Sequence, residues 1–122
     1  MSLQEIFDKS VGGVLAQGGL GMRHGVCLYR APDGKRCAVG QLLDDGVYSP
    51  SFEALPLRSI VSRLPPSLGR QVDLLNKLQI AHDASYGLAD FASTAAKLAA
   101  KLNLNTKVID DWRARSAESD PT

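Results

Sequence analysis

The sequence predicts an α+β domain, mostly helical, with five or six helices and one inserted β-hairpin. Apolar residues recur at helical spacing in successive stretches between Leu3 and Trp112. Only one segment, Cys27-Leu-Tyr-Arg-Ala-Pro-Asp-Gly-Lys-Arg-Cys-Ala-Val-Gly40, alternates like two strands around a turn. The 122 residues, 44% of them apolar, suffice for one modest core. A lone hairpin is marginal in water, so it must pack on the helices. Residues 1–115 are expected to form a single compact domain, and the polar tail Ser116 to Thr122 to be disordered.

The first helix opens on a capping box, Ser2-x-x-Glu5, and carries the stripe Leu3, Ile6, Phe7, Val11, Val14 and Leu15. Gly12 and Gly13 inside that stripe weaken a helix, which points to a neighbour packed close against them. Gly18, Gly19 and Gly21 end it. In the hairpin, Pro32 and Asp33 suit the centre of a type I turn, with Gly34 supplying a positive φ. That register sets Arg30 opposite Arg36, Tyr29 opposite Cys37 and Leu28 opposite Ala38. Cys27, Tyr29, Cys37 and Val39 then share the core face. The two cysteines are diagonal there, a poor geometry for a bond, and are expected as buried thiols.

Val39, Leu42 and Leu43 begin a short helix that Asp44-Asp45-Gly46 stops. Pro56 suits a first turn ahead of Leu57, Ile60, Val61 and Leu64, and Pro65-Pro66 ends that piece. Ser67 can cap a helix bearing Leu68, Val72, Leu75 and Leu78, broken at Gly87. Leu88, Phe91, Ala95, Leu98 and Leu102 form the next stripe. Asn105 or Thr106 can cap a last helix with Val108, Ile109 and Trp112.

Composition excludes several classes of function. Fourteen basic and 13 acidic residues leave a net charge of +1, too little for a long-range field that steers nucleic acid or anionic lipid. No apolar stretch approaches the length of a membrane span, and Met1-Ser-Leu-Gln-Glu5 has no basic region ahead of an apolar one. A cytoplasmic protein without a membrane partner is expected, its two cysteines reduced.

Four constellations of residues could carry chemistry. His82, followed by Asp83, falls on the apolar face of its helix; it is the candidate ligand-binding residue, with a hydrogen-bonded core histidine as the simpler alternative. His24, Cys27, Cys37 and His82 could together ligate zinc, but without a Cys-x-x-Cys pair no metal site is assigned. A thiol–imidazole pair lacks any surrounding elbow or oxyanion arrangement, and the glycines at 12–13 and 18–21 follow no strand; no catalytic residue and no cofactor are assigned. Arg30, Lys35 and Arg36 cluster at the hairpin tip and are the candidate partner-binding residues. Repulsion across the strands between Arg30 and Arg36 would be relieved by an anionic partner. Tyr48, Phe52 and Trp112 are candidates for an exposed aromatic patch.

The stretches Gln4-Glu-Ile-Phe-Asp8, Cys27-Leu-Tyr-Arg30, Pro32-Asp-Gly-Lys35, Cys37-Ala-Val-Gly40 and Leu78-Gln-x-Ala-His-Asp83 resemble a family of small proteins from tailed phages and prophages, over about residues 3 to 104. Gln41 stands where relatives carry a third cysteine. The resemblance implies a phage-linked accessory role and carries no catalytic or binding residues over. First place goes to a non-catalytic accessory protein that binds a host or phage macromolecule, most readily a protein, inhibition being one form of this. A small-ligand or nucleotide-binding domain, or minor enzyme, with a pocket at His82 comes second. Nucleic-acid binding through the basic tip comes third.

Overall fold

The computed structural model describes residues 2–20, 22–23, 26–27 and 29–118. Among the described residues are six α-helices: α1 (Leu3–Ala16), α2 (Leu57–Ile60), α3 (Pro66–Gly69), α4 (Val72–Asp83), α5 (Leu88–Leu102) and α6 (Lys107–Glu118). Short 3-10 turns at Gly40–Leu42, Pro50–Ala54 and Val61–Arg63 fill the connections. The last helix runs past residue 115 to Glu118; the rest of the expected tail, 119–122, lies outside the described residues.

α1 is the centre of the packing and touches α4, α5, α6 and the turn at Gly40–Leu42. Its capping box forms as the sequence dictates: the Ser2 hydroxyl accepts from the Glu5 N–H at 3.1 Å, and the Ser2 N–H donates to Glu5 at 3.0 Å. Ile6, Phe7, Val11, Val14 and Leu15 are buried. Gly13 is where the turn comes close, since an added methyl would lie 2.7 Å from the Gln41 side-chain carbonyl carbon. The core continues through Phe52, Ile60, Leu75, Leu78, Phe91 and Ile109.

The stripe starting at Leu68 divides into two helices, α3 and α4, with Gln71 between them at φ −105° and ψ 30°. α5 holds its predicted span, and Asn103 at φ 57° closes it in the left-handed conformation that asparagine tolerates. Ahead of α6, the Asn105 side chain accepts from the Lys107 N–H at 3.2 Å.

The α+β class is not what the chain adopts. The fold is helical, and among the described residues the hairpin expected over 27–40 is absent. The only extended pairing among the described residues couples Met22–Arg23 with Val26–Cys27, two residues to a side, upstream of the expected turn. The turn itself exists: the Gly34 N–H donates to Ala31 at 3.0 Å, the Ala31 N–H donates to Lys35 at 2.7 Å, and Gly34 sits at φ +89°. What is missing is the ladder beyond it.

Side chains from elsewhere take the backbone groups a ladder would use. Glu53 accepts from the Tyr29 and Arg30 N–H groups at 2.9 and 3.0 Å. Gln17 clamps Arg36, accepting from its N–H at 2.8 Å and donating to its carbonyl at 2.6 Å. Gln79 accepts from the Val39 N–H at 3.1 Å. With these groups satisfied by distant side chains, the second arm is free to coil into the turn at Gly40–Leu42. The expected facing of Arg30 with Arg36 does not occur, and Leu28 lies outside the described residues.

Candidate functional site

Two of the depressions that border α4 bear on the candidate residues. The first is a cleft of about 280 Å³ between the 29–37 segment and α4, lined among others by Tyr29, Cys37, Glu53, Gln79 and Asp83. The second is a groove of about 420 Å³ between α4 and α5, lined by Lys77, Ile80, Ala81, Ala84, Thr94, Lys97, Leu98 and Lys101. Ile80 borders both, and it is 59% exposed.

His82 belongs to neither. It has no exposed surface, Phe91 meets its ring edge-on at 5.9 Å, and its Nε2 hydrogen-bonds the Leu20 carbonyl. Its Nδ1 lies 3.3 Å from the Asp83 carboxylate. The Leu20 carbonyl holds the ring inside the core, and the side chain that reaches the cleft is its neighbour Asp83. Gln79 donates to the same carboxylate oxygen at 2.7 Å.

Cys37 lies at the buried edge of the cleft, a free thiol whose sulfur accepts from the Gly40 N–H at 3.4 Å. Burial pushes this thiol up to about 12 from an ordinary 9.0. A neutral, enclosed thiol is no nucleophile. Tyr29 is also pushed up to about 12, first by burial and then by the nearby Cys37, Glu53 and Asp83; its hydroxyl donates to Leu55 at 3.0 Å. The side chain of Cys27, and His24 as a whole, lie outside the described residues. Among the described residues no group of three or more His, Cys, Asp or Glu is placed to hold a metal ion.

These raised values predict an alkaline limit to stability. The unfolded chain releases the Cys37 proton near pH 9 and the Tyr29 proton near pH 10, whereas the folded chain keeps both until about 12. Stability is thus fully present below about pH 9 and is lost as pH rises towards 12. Denaturation midpoints measured across this range should fall, and Cys37→Ala should remove the first part of the fall. At neutral pH, native Cys37 in a Cys27→Ser background should resist iodoacetamide, and the unfolded chain should react.

The three basic residues assigned to the tip are dispersed. Arg30 turns inward: it pairs with Asp45 at 2.8 Å, donates to the Leu43 carbonyl at 2.8 Å, and lies 4.3 Å over the Tyr48 ring. Lys35 pairs with Asp33 at 3.2 Å within the turn. Arg36 is half-buried, its backbone clamped by Gln17. The aromatic patch is likewise redistributed. Phe52 is buried with Tyr48 edge-on to it, Trp112 is half-buried, and the fully exposed aromatic is Tyr86 in the α4–α5 connection.

Sequence reasoning passed over the groove. Its signal is an isoleucine outside the Leu75, Leu78 and His82 stripe, together with Lys97 and Lys101 one turn apart. Among the described residues no helix is long and apolar enough to cross a membrane. No family model, curated protein or solved structure matches the chain.

Proposed function

We propose that this is a non-catalytic accessory protein, of the phage or prophage kind its motifs resemble, that works in the cytoplasm by binding another protein through the α4–α5 face. The observation that carries the reading is the groove, where Ile80 stands 59% exposed beside Leu98, Ala81 and Ala84. A single exposed apolar residue is ordinary on a protein surface. Here Ile80 is joined by Leu98 and two alanines in one depression with lysines at its rim, a small apolar surface with room for a few anchoring side chains.

The other readings have less support. The polar groups of the cleft are largely engaged within the chain: Glu53 and Gln79 hold backbone, Asp83 holds Gln79 and faces His82, and the Cys37 thiol stays protonated. A ligand would have to displace these bonds. Nucleic-acid binding relied on Arg30, Lys35 and Arg36 acting together, and Arg30 is bound internally.

Ile80→Asp tests the proposal, because more than half of the side chain is exposed and the substitution should cost about 1 kcal/mol, too little to unfold the domain. Cross-linking in bacterial cells is expected to yield a discrete complex with a second protein that the wild type forms and Ile80→Asp loses, with the circular dichroism spectrum unchanged. A complex that survives Ile80→Asp at full yield, or no complex with another protein, overturns the reading.

A further inference from the structure

The α4–α5 groove also defines the chemistry of its occupant, an inference that rests on the binding-module reading above. We infer that it receives a short amphipathic helix of a second protein, with apolar anchors facing the groove and acidic residues on its flanks.

The floor is apolar and in part small. Ala81 and Ala84 let a backbone approach, and Ile80 and Leu98 provide the bulk of the contact. Along α4 the lining runs from Lys77 to Ala84, two turns or about 10 Å at 1.5 Å per residue. That length matches anchors at i, i+3 or i+4, and i+7 on an incoming helix.

Charge selects among occupants of that shape. Lys77, Lys97 and Lys101 are exposed around the groove, and among the described residues its lining contains no acidic one. Their aliphatic stems extend the apolar floor while their ammonium groups remain in water. An incoming helix with acidic flanks meets complementary charge, and a basic one is repelled.

A second copy of this chain is a poor occupant. Its exposed Asp44 and Asp45 already pair with Lys9 and Arg30, and Asp110 and Asp111 on α6 alternate with Lys107, Arg113 and Arg115. The apolar floor offers nothing to a nucleic-acid backbone beyond the three ammonium groups. An anionic membrane would be met by a narrow depression holding Ile80 and Leu98 rather than by a broad apolar face.

The test uses two labelled pools of amphipathic peptides, each about 14 residues long to sustain a helix. Anchor positions vary among Leu, Ile, Phe, Met and Trp, and flanking positions are all Glu in one pool and all Lys in the other. Binding is read by fluorescence anisotropy on the full-length wild type, on Ile80→Asp, and on the triple variant Lys77→Glu, Lys97→Glu, Lys101→Glu, each checked for folding by circular dichroism. The acidic pool should bind wild type at least about tenfold more tightly than the basic pool and weaken with salt. The triple variant should reverse that preference, and Ile80→Asp should abolish binding by both pools.

Equal binding of the two pools, or a preference unchanged by charge reversal, overturns the inference. So does self-association, or binding confined to phosphatidylglycerol vesicles or duplex DNA. If the pools fail while an Ile80-dependent complex persists in cells, the acidic partner is wrong and the binding-module reading stands. If both fail, both fall.

Discussion

Gly40→Ala is expected to lower stability by about 3 kcal/mol. A methyl group at this buried position would overlap the carbonyl oxygen of Tyr29 and lie 2.8 Å from its carbonyl carbon and 3.0 Å from its Cα. Backbone cannot swing aside as a side-chain end can. Tyr29 is held by Glu53 at its N–H, at 2.9 Å, and by Leu55 at its hydroxyl, at 3.0 Å. Gly40 is tied in turn, its N–H to the Cys37 sulfur and its carbonyl to the Leu43 N–H at 3.2 Å. A loss of that size is a large share of the 5–15 kcal/mol typical of a folded domain, so the denaturation midpoint should move well outside error at unchanged m-value. Gly46→Ala is the control, since nothing lies within 4 Å of an added methyl there. If both variants unfold at the same denaturant concentration, the close approach of Gly40 to Tyr29 does not hold the segment in place.

The helices were legible because their causes are local. Ser2 and Glu5 sit three residues apart and cap each other. Phe91, Ala95 and Ala99 recur on one face of α5 and are buried there. Even the course of His82 into the core follows from its place in the Leu75 and Leu78 stripe. Residues 29–40 carried a local signal of equal clarity, and it misled. Alternation of Tyr29, Cys37 and Val39 about Pro-Asp-Gly reads as a hairpin when each backbone N–H is assumed to find a backbone partner. Here the partners are Glu53, Gln17 and Gln79, up to 40 residues away. Such bonds leave no periodicity in the chain. The same distance hid the groove: Lys77 and Ile80 belong to one helix and Lys97, Leu98 and Lys101 to another, and each helix alone shows only a solvated face. Arg30 was visible as a tip charge, whereas its inward turn depends on Asp45, Leu43 and Tyr48.

Glu53→Gln should cost about 2–3 kcal/mol, although it preserves shape and removes only a charge. One oxygen of Glu53 accepts from the Tyr29 N–H, and the other accepts from the Arg30 N–H and from the Tyr48 hydroxyl at 2.6 Å. An amide has one accepting oxygen. Whichever way it is turned, its NH₂ group faces a donor, and at least one backbone N–H in this half-buried site loses its partner. Tyr48→Phe removes a single donor and leaves the carboxylate with both backbone groups, so about 1 kcal/mol is expected. The two effects should not add, because the variants share one oxygen. A second readout separates this role from simple packing. Burial and then the Glu53 hydrogen bond push the Tyr48 phenol up to about 12; in Glu53→Gln its absorbance titration should move back towards the ordinary value of 10.0. Destabilisation without that movement would assign Glu53 a packing role alone. A Glu53→Gln protein as stable as the wild type would mean that the carboxylate does not replace the missing strand, and that the absence of the hairpin has another cause.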